Sequence, residues 1–249
     1  MLRFSLLLLL VLPTAAAQRP PWTASARHHA EVFDGDREAW TLSLATVERR
    51  LRGGSVLASV GRASRFGQAA TVGVADVYAD LAPRTYGNAR VAVAPGARTV
   101  ARADAALTLY RALPGRLEGR VGARRVQYAG GGATLLSVGA TRFARWGRLG
   151  AVGTVVPADS VVGVSLSALA RLDLGPAADR PTAYVEVRGG RGEEVVPTPG
   201  GAADLRTSWT ASVGAAWRRG RVTAGVRVGR AWDEALTRTQ GEVQLGVDL

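Results

Sequence analysis

Apolar side chains alternate with polar or small ones in segments that recur along most of this chain. In residues 242–249 every second residue is Val or Leu, and the residues between them are Glu, Gln, Gly and Asp. The segments 162–171 and 221–228 repeat the pattern with Val, Leu or Ala at alternate positions. Successive side chains of a β-strand point to opposite faces, so a period of two predicts strands with one apolar and one polar face.

The alternation and the Gly, Pro, Asp and Arg residues that interrupt it predict fourteen strands, although twelve would also fit. An even number of antiparallel strands places both chain termini on the same side of a barrel, which is the periplasmic side in bacteria. The predicted strands lie near residues 26–33, 38–48, 55–65, 69–79, 85–94, 99–110, 115–128, 133–144, 148–157, 160–173, 182–190, 205–217, 221–230 and 238–249.

Strands of this length favour a membrane barrel over a secreted soluble β-sandwich, whose strands usually have ~5–6 residues. Beyond the N-terminal leader no apolar stretch approaches the ~20 residues of a membrane helix. The polar faces carry Gly, Ser, Thr and Arg rather than dense mixed charge. We therefore expect an all-β fold, a closed antiparallel up-and-down transmembrane β-barrel, located in the outer membrane.

The first residues have the composition of a secretory signal peptide, with Arg3 before an apolar run and Ala15–Ala17 as small residues at the cleavage site. This predicts a signal peptide over 1–17, a short lead over 18–25 and the barrel over 26–249. The chain contains no Cys, which excludes disulfides, thiolate metal sites and Cys nucleophiles.

Turns that follow even-numbered strands should be short and periplasmic, and loops that follow odd-numbered strands should face outward. The longest outward loop is predicted over Arg191 to Asp204, because Pro197, Pro199 and two Gly residues interrupt regular sheet there. Aromatic rings gather near strand ends, as expected of two membrane-interface girdles. The candidates for the girdles are Phe33, Phe66, Tyr78, Tyr86, Tyr110, Tyr128, Phe143, Trp146, Trp217 and Trp232.

Charged residues on the strands should point into the lumen, since an Arg at the lipid midplane costs ~2–4 kcal/mol. They would either line a wet channel, in which the Arg excess favours anions, or pair with one another and plug it. The candidate lumen residues are Arg90, Arg102, Asp104, Arg116, Glu118, Arg120, Arg124, Arg171, Glu186, Arg188 and Arg227.

Little in the sequence points to catalysis, a metal or a cofactor, and we expect none of the three. His28 and His29 are the only histidines, and adjacent strand residues face opposite ways, so at most one could serve a hydrolase site. Glu193 and Glu194 are interpreted as a solvated loop pair rather than a cation site. The net charge of +12 comes from Arg residues scattered along the chain, which argues against a nucleic-acid partner.

Several segments resemble the YaiO family of outer-membrane β-barrel proteins, over roughly residues 26–249. The more specific ones are Ser64-Arg65-Phe66, the stretch Asp76–Leu81, Leu113-Pro114 with the following 117–124, and Trp146-Gly147-Arg148. The resemblance implies an outer-membrane barrel and brings no established activity or catalytic residues.

Together these observations predict a passive channel or export conduit for anionic solutes or exopolysaccharide. The alternative is a non-conducting scaffold or receptor that binds a partner through its outward loops. Expected partners are outer-membrane lipid, lipopolysaccharide and the barrel-assembly machinery.

Overall fold

A computed structural model describes residues 22–35, 37–157, 162–175, 183–197, 203–233 and 236–249. The predicted signal peptide, and Pro199, Gly200 and Gly201 of the predicted long loop, lie outside these ranges. Within them, no helix has the length and apolarity needed to cross a membrane.

Fourteen antiparallel strands close into one barrel, in which each strand pairs with its sequence neighbours and β1 pairs with β14. The strands are β1 Trp22–Phe33, β2 Trp40–Leu51, β3 Gly54–Arg65, β4 Gln68–Ala82, β5 Thr85–Val93, β6 Ala103–Leu113, β7 Leu117–Tyr128, β8 Gly131–Ala144, β9 Gly147–Pro157, β10 Val162–Leu174, β11 Ala183–Pro197, β12 Ala203–Arg219, β13 Val222–Asp233 and β14 Thr237–Asp248. The predicted fold class and strand number are confirmed.

The strand bounds differ from the prediction by more than three residues in three places. β1 begins at Trp22, so part of the predicted lead over 18–25 is strand. β6 begins at Ala103 rather than near residue 99, because residues 94–102 form a nine-residue connection. β11 continues through Pro197 and β12 begins at Ala203, so most of the loop predicted over Arg191 to Asp204 is sheet. Pro197 fits there because it is the last residue of its strand.

The seam between the first and last strands is held by eleven cross-strand pairs, from Thr23 opposite Asp248 to Phe33 opposite Arg238. Asp248 is almost fully buried and accepts hydrogen bonds from the Thr23 hydroxyl at 2.9 Å and from the Arg218 guanidinium. Arg50 lies 3.7 Å from the same carboxylate. One carboxylate therefore ties β1, β2, β12 and β14 together at the closing pair.

Side chains divide between two faces in the predicted alternation. Outward positions carry large apolar residues, among them Leu166, Val138 and Leu245, which are about 60% exposed. Directly opposed residues of paired strands share a face. Once the inward face of one strand is known, the register therefore shows for every other strand which residues face the lumen and which face lipid. The inward residues on β2–β4 include an apolar group, Leu42, Leu44, Ala63, Ala70, Val72 and Val74, whereas those on β7, β9, β11, β13 and β14 include the charged residues Arg120, Arg148, Glu186, Arg227 and Glu242.

We call the end that holds both chain termini the terminal end and the other the loop end. The connections 52–53, 83–84 and 145–146 at the terminal end have two residues each. Two of them lead into Gly54 and Gly147, which open strands with positive φ. A Cβ at Gly147 would collide with the main-chain carbonyl oxygen of Arg171 on the neighbouring strand.

Replacing Gly147 with Ala should destabilise the folded barrel by about 1–3 kcal/mol, because the new methyl group meets backbone and the φ of +150 disfavours a side chain. Urea titration of the refolded protein in lipid, followed by heat-modifiable electrophoretic mobility, measures the loss. Gly130→Ala is the matched control, since a Cβ there meets nothing within 4 Å. Equal stability of the two variants would contradict the steric argument.

Candidate functional site

The barrel encloses a cavity of about 710 Å³, which both polar and aromatic side chains line. Four arginines reach it from four strands: Arg120 on β7, Arg148 on β9, Arg188 on β11 and Arg227 on β13. The carboxylates in its lining are Glu118 and Glu242. Alternation explains this convergence, because each of these residues occupies the inward phase of its strand.

Glu186 on β11 is the centre of the charge arrangement and is only 2% exposed. One of its oxygens accepts from Arg188 Nε at 2.6 Å and from Arg227 Nη2 at 3.0 Å. Arg148 Nη2 lies 3.9 Å from the other oxygen. A buried carboxylate is tolerated only when it is paired and hydrogen-bonded, and these three guanidinium groups meet that requirement.

The pairing continues around the wall from Glu186 to β1. Arg227 Nη1 lies 3.3 Å from Glu242, and Glu242 lies 3.9 Å from His29 Nδ1. His29 Nε2 is 3.2 Å from Glu31, which is 3.5 Å from Arg238. The inward polar groups of β11, β13, β14 and β1 thus form one connected network, in which the His29 imidazole lies between the ion pairs of Arg227 and Arg238.

Tyrosines form the wall beside Arg120. The rings of Tyr86 and Tyr110 are stacked, with centroids 4.6 Å apart and planes inclined by 5°. The Tyr86 hydroxyl donates to Glu118 at 2.6 Å. Tyr110 is directly opposite Arg120 in the register of β6 and β7, and Tyr78 joins the two rings in lining the cavity.

Arg120 differs from the other cavity arginines. Among the described side chains no carboxylate forms an ion pair with it, whereas Arg148, Arg188 and Arg227 each pair with Glu186. Glu118, its neighbour on the same face, accepts from Tyr86 and keeps its negative charge. Arg120 is therefore the one of these four cavity arginines without an ion-pair partner among the described residues.

Comparison with known protein families shows to which family the chain belongs. The family described as YaiO membrane beta barrel domain matches residues 23–194. The chain belongs to this family. The resemblance in the sequence is thereby confirmed, and the protein is an outer-membrane β-barrel.

Solved structures with the same fold are outer-membrane proteins. A bacterial polysaccharide outer membrane secretin superposes with a TM-score of 0.57 at 8% identity, covering 94% of this chain and 100% of that one. OpdQ of Pseudomonas aeruginosa gives 0.52 at 9% identity, covering 92% and 96%. A loop-deletion mutant of OmpT, an outer membrane protein of Vibrio cholerae, gives 0.52 at 7% identity, covering 91% and 97%. At these identities the likeness concerns the fold, and no curated protein matches the chain.

The structure places most of the predicted lumen residues on inward faces. Besides those already described, Arg124 donates to both oxygens of Asp104, at 2.9 and 2.6 Å. Arg90 lies 3.7 Å from Asp76. Arg171 bonds to Asp173 at 2.5 Å, and its guanidinium carbon lies 3.7 Å from the Tyr184 ring centroid.

Two predicted lumen residues are not on the strand wall. Arg116 lies in the turn between β6 and β7 with a φ of +60, because β7 begins at Leu117, two residues later than predicted. Arg102 precedes β6, and its Nε donates to the carbonyl oxygen of Ala97 at 2.8 Å. Arg102 therefore braces a loop instead of lining the wall.

Several aromatic rings predicted for the membrane-interface girdles face the lumen instead of lipid. The register puts six of them on inward positions: Phe33, Tyr78, Tyr86, Tyr110, Tyr128 and Phe143. Trp217 and Trp232 face outward at opposite ends of the barrel, and Trp209 lies directly opposite Trp232. Phe66 and Trp146 lie in turns. Proximity to a strand end does not fix the face, and the phase of the alternation at each ring decides it.

The two histidines lie on opposite faces, as the sequence predicts. His28 faces outward and bonds to Ser43 at 2.8 Å, whereas His29 belongs to the internal network. Glu193 lies in β11 rather than in a loop, and it pairs with Arg191 at 3.2 Å. The described residues contain no group of three metal-ligating side chains.

Sequence reasoning missed Arg148, His29, Glu242 and the three cavity tyrosines as parts of one site. The phase of alternation in β9 and β14 does give Arg148 and Glu242 as inward. Their association with Glu186 depends on the register of neighbouring strands, which places Arg148, Glu186, Arg227 and Glu242 in one row along the wall, and the alternation of a single strand does not fix that register.

Glu186→Gln should destabilise the barrel by about 3 kcal/mol, since Arg148, Arg188 and Arg227 then lose their common counter-charge. Urea unfolding in lipid, followed by tryptophan fluorescence, measures this. Glu193→Gln serves as the control, because its partner Arg191 is half exposed and such pairs contribute about 1 kcal/mol or less. A Glu186→Gln variant as stable as the control would disprove the role of Glu186 as an anchor.

Proposed function

We propose that this barrel is a passive conduit for small or polymeric anionic solutes across the outer membrane. The observation that carries the proposal is Arg120, a cation without an ion-pair partner among the described residues, beside a polar cavity of about 710 Å³. Positive charge on a pore wall lowers the electrostatic barrier for anions and raises it for cations. In this proposal the terminal end faces the periplasm, and lipid and lipopolysaccharide surround the outward band.

Other inward arginines form ion pairs and have a structural role. Arg124 is neutralised by Asp104, and Arg188 and Arg227 share Glu186. These pairs hold the wall in one shape, while Arg120 supplies the selectivity. The chain thus combines the two outcomes that the sequence allowed, a paired lumen and a charged one.

The arrangement of polar groups supports transport over catalysis and over scaffolding. The His28–Ser43 pair faces outward, away from the carboxylates around His29, so a nucleophile, a base and an orienting acid are not assembled by these residues. Connections at the loop end have two to nine residues, which leaves little surface for binding a large partner. We therefore propose no enzymatic activity.

Arg120→Gln should lower the chloride-to-potassium permeability ratio of the refolded barrel by about twofold or more, because it removes a positive charge that no described carboxylate pairs with directly. Reversal potentials in planar bilayers under a KCl gradient measure the ratio. Arg120→Lys should keep the preference, since it keeps the charge.

The matched control is the double variant Asp104→Asn with Arg124→Gln, which removes one positive and one negative charge that already compensate each other. We expect its permeability ratio to equal that of the parent barrel. Equal ratios for Arg120→Gln and the parent would refute the assignment, and a correctly folded parent that passes no current would refute the conduit.

A further inference from the structure

The connection between β5 and β6, residues 94–102, folds back into the barrel at the loop end. Ala94, Ala97 and Val100 are 1%, 4% and 8% exposed, although they belong to a loop. They pack with Ala63, and this cluster is covered further by Leu42, Ala70 and Val72. All four contacting wall residues occupy inward positions on β2, β3 and β4, so the loop lies inside the lumen.

Hydrogen bonds fix the loop in this position. Ala94 N–H donates to the Arg102 carbonyl at 2.9 Å, which closes the β5–β6 ladder before the loop departs. Ala97 N–H then donates to the Ala94 carbonyl at 3.1 Å, and Arg102 Nε donates to the Ala97 carbonyl at 2.8 Å. On the wall that the loop covers, the Thr99 hydroxyl donates to the carbonyl of Arg65, the last residue of β3, at 3.3 Å. The loop is therefore bonded both within itself and to the wall.

The inward wall beneath the loop explains why the loop folds in. Leu42, Ala70 and Val72, which pack against the loop cluster, point into the lumen, where an uncovered apolar surface would face water. Such exposure costs about 25 cal/mol per Å², so an apolar loop that covers the wall is stabilised by it. The Phe33, Trp40 and Phe66 rings continue this apolar side, with successive centroids 4.6 and 5.2 Å apart.

We propose that loop 94–102 is the internal constriction of the conduit and determines the size of solute that passes. It fills the apolar side of the lumen at the loop end and leaves the path along the charged side, which carries Arg120, Arg188 and Arg227. Solutes would then enter as a single file next to the basic wall. This inference rests on the proposed function, because a size limit has meaning only for a barrel that conducts.

Excision of the loop tests the proposal directly. Replacing residues 95–101 with Asn-Gly keeps the Ala94–Arg102 pair and supplies the tight turn that two antiparallel strands need. We expect single-channel conductance to rise by about twofold or more, and larger neutral sugars to enter liposomes in swelling assays. Heat-modifiable mobility confirms that the variant folds. An unchanged size limit in a conducting, folded variant would overturn the proposal.

A cysteine pair tests the position of the loop without reference to conductance, and the chain has no native Cys to interfere. Ala63→Cys with Ala97→Cys should cross-link under mild oxidation, since both residues belong to the same cluster. The control pair, Ala97→Cys with Ser212→Cys on the polar wall, should not cross-link. Failure of the first pair, or equal cross-linking of both, would overturn the inward position.

The combined outcomes separate the two proposals. Cross-linking with a widened limit after excision supports both. A silent parent with a conducting excised variant supports the loop as the obstruction and refutes an open conduit. If the two proteins are both silent, the proposed function and the constriction fail together, while cross-linking still reports where the loop lies.

Discussion

Closure of the backbone hydrogen-bond ladder is the constraint on which the rest of this structure depends. A strand inside a lipid bilayer has no water to satisfy its N–H and C=O groups, so an open sheet edge there is excluded. Pairing of β1 with β14 removes both edges at once. The buried Asp248, shared by Thr23, Arg50 and Arg218, reinforces this seam through side chains from four strands.

Closure also dictates where charge can go. Once every strand is paired, each residue faces lipid or lumen, and most charged side chains near the middle of the wall face the lumen. A lumen that contains Arg, Glu, Asp and His must compensate most of those charges. The network around Glu186 does so by joining strands that are not neighbours in the barrel: Arg148 and Arg227 lie two strands away from Glu186, on β9 and β13. Charge pairing across the wall thus adds stiffness that the hydrogen-bond ladder does not provide.

Local sequence patterns predicted the ladder well and the lumen less well, for a physical reason. Alternation is a property of single strands, so strand number, order and the inward phase of Glu118, Arg120 and Glu186 follow from it. Loop 94–102 does not, because its inward fold depends on an apolar wall contributed by strands 20 to 50 residues earlier. Tyr86 and Tyr110 were assigned to an interface because they lie near strand ends. A ring near a strand end can face either lipid or the lumen, and only the register of the strand shows which of the two it faces.

The large positive charge of the chain is a poor guide to what its lumen does. Most of the inward arginines on the charged wall are matched by a carboxylate within 4.0 Å, and the charges balance around Asp104 and Asp173, each of which pairs with one Arg. Around Glu186 three guanidinium groups share two carboxylates, Glu186 and Glu242, so one positive charge is in excess. An electrostatic preference therefore depends on where the charges lie, and Tyr86 affects this by holding Glu118. The hydroxyl leaves the negative charge of Glu118 in place, but the 2.6 Å hydrogen bond engages that carboxylate with the tyrosine, and no described carboxylate forms an ion pair with Arg120. The stacked tyrosines consequently influence the distribution of charge in the cavity as well as its shape.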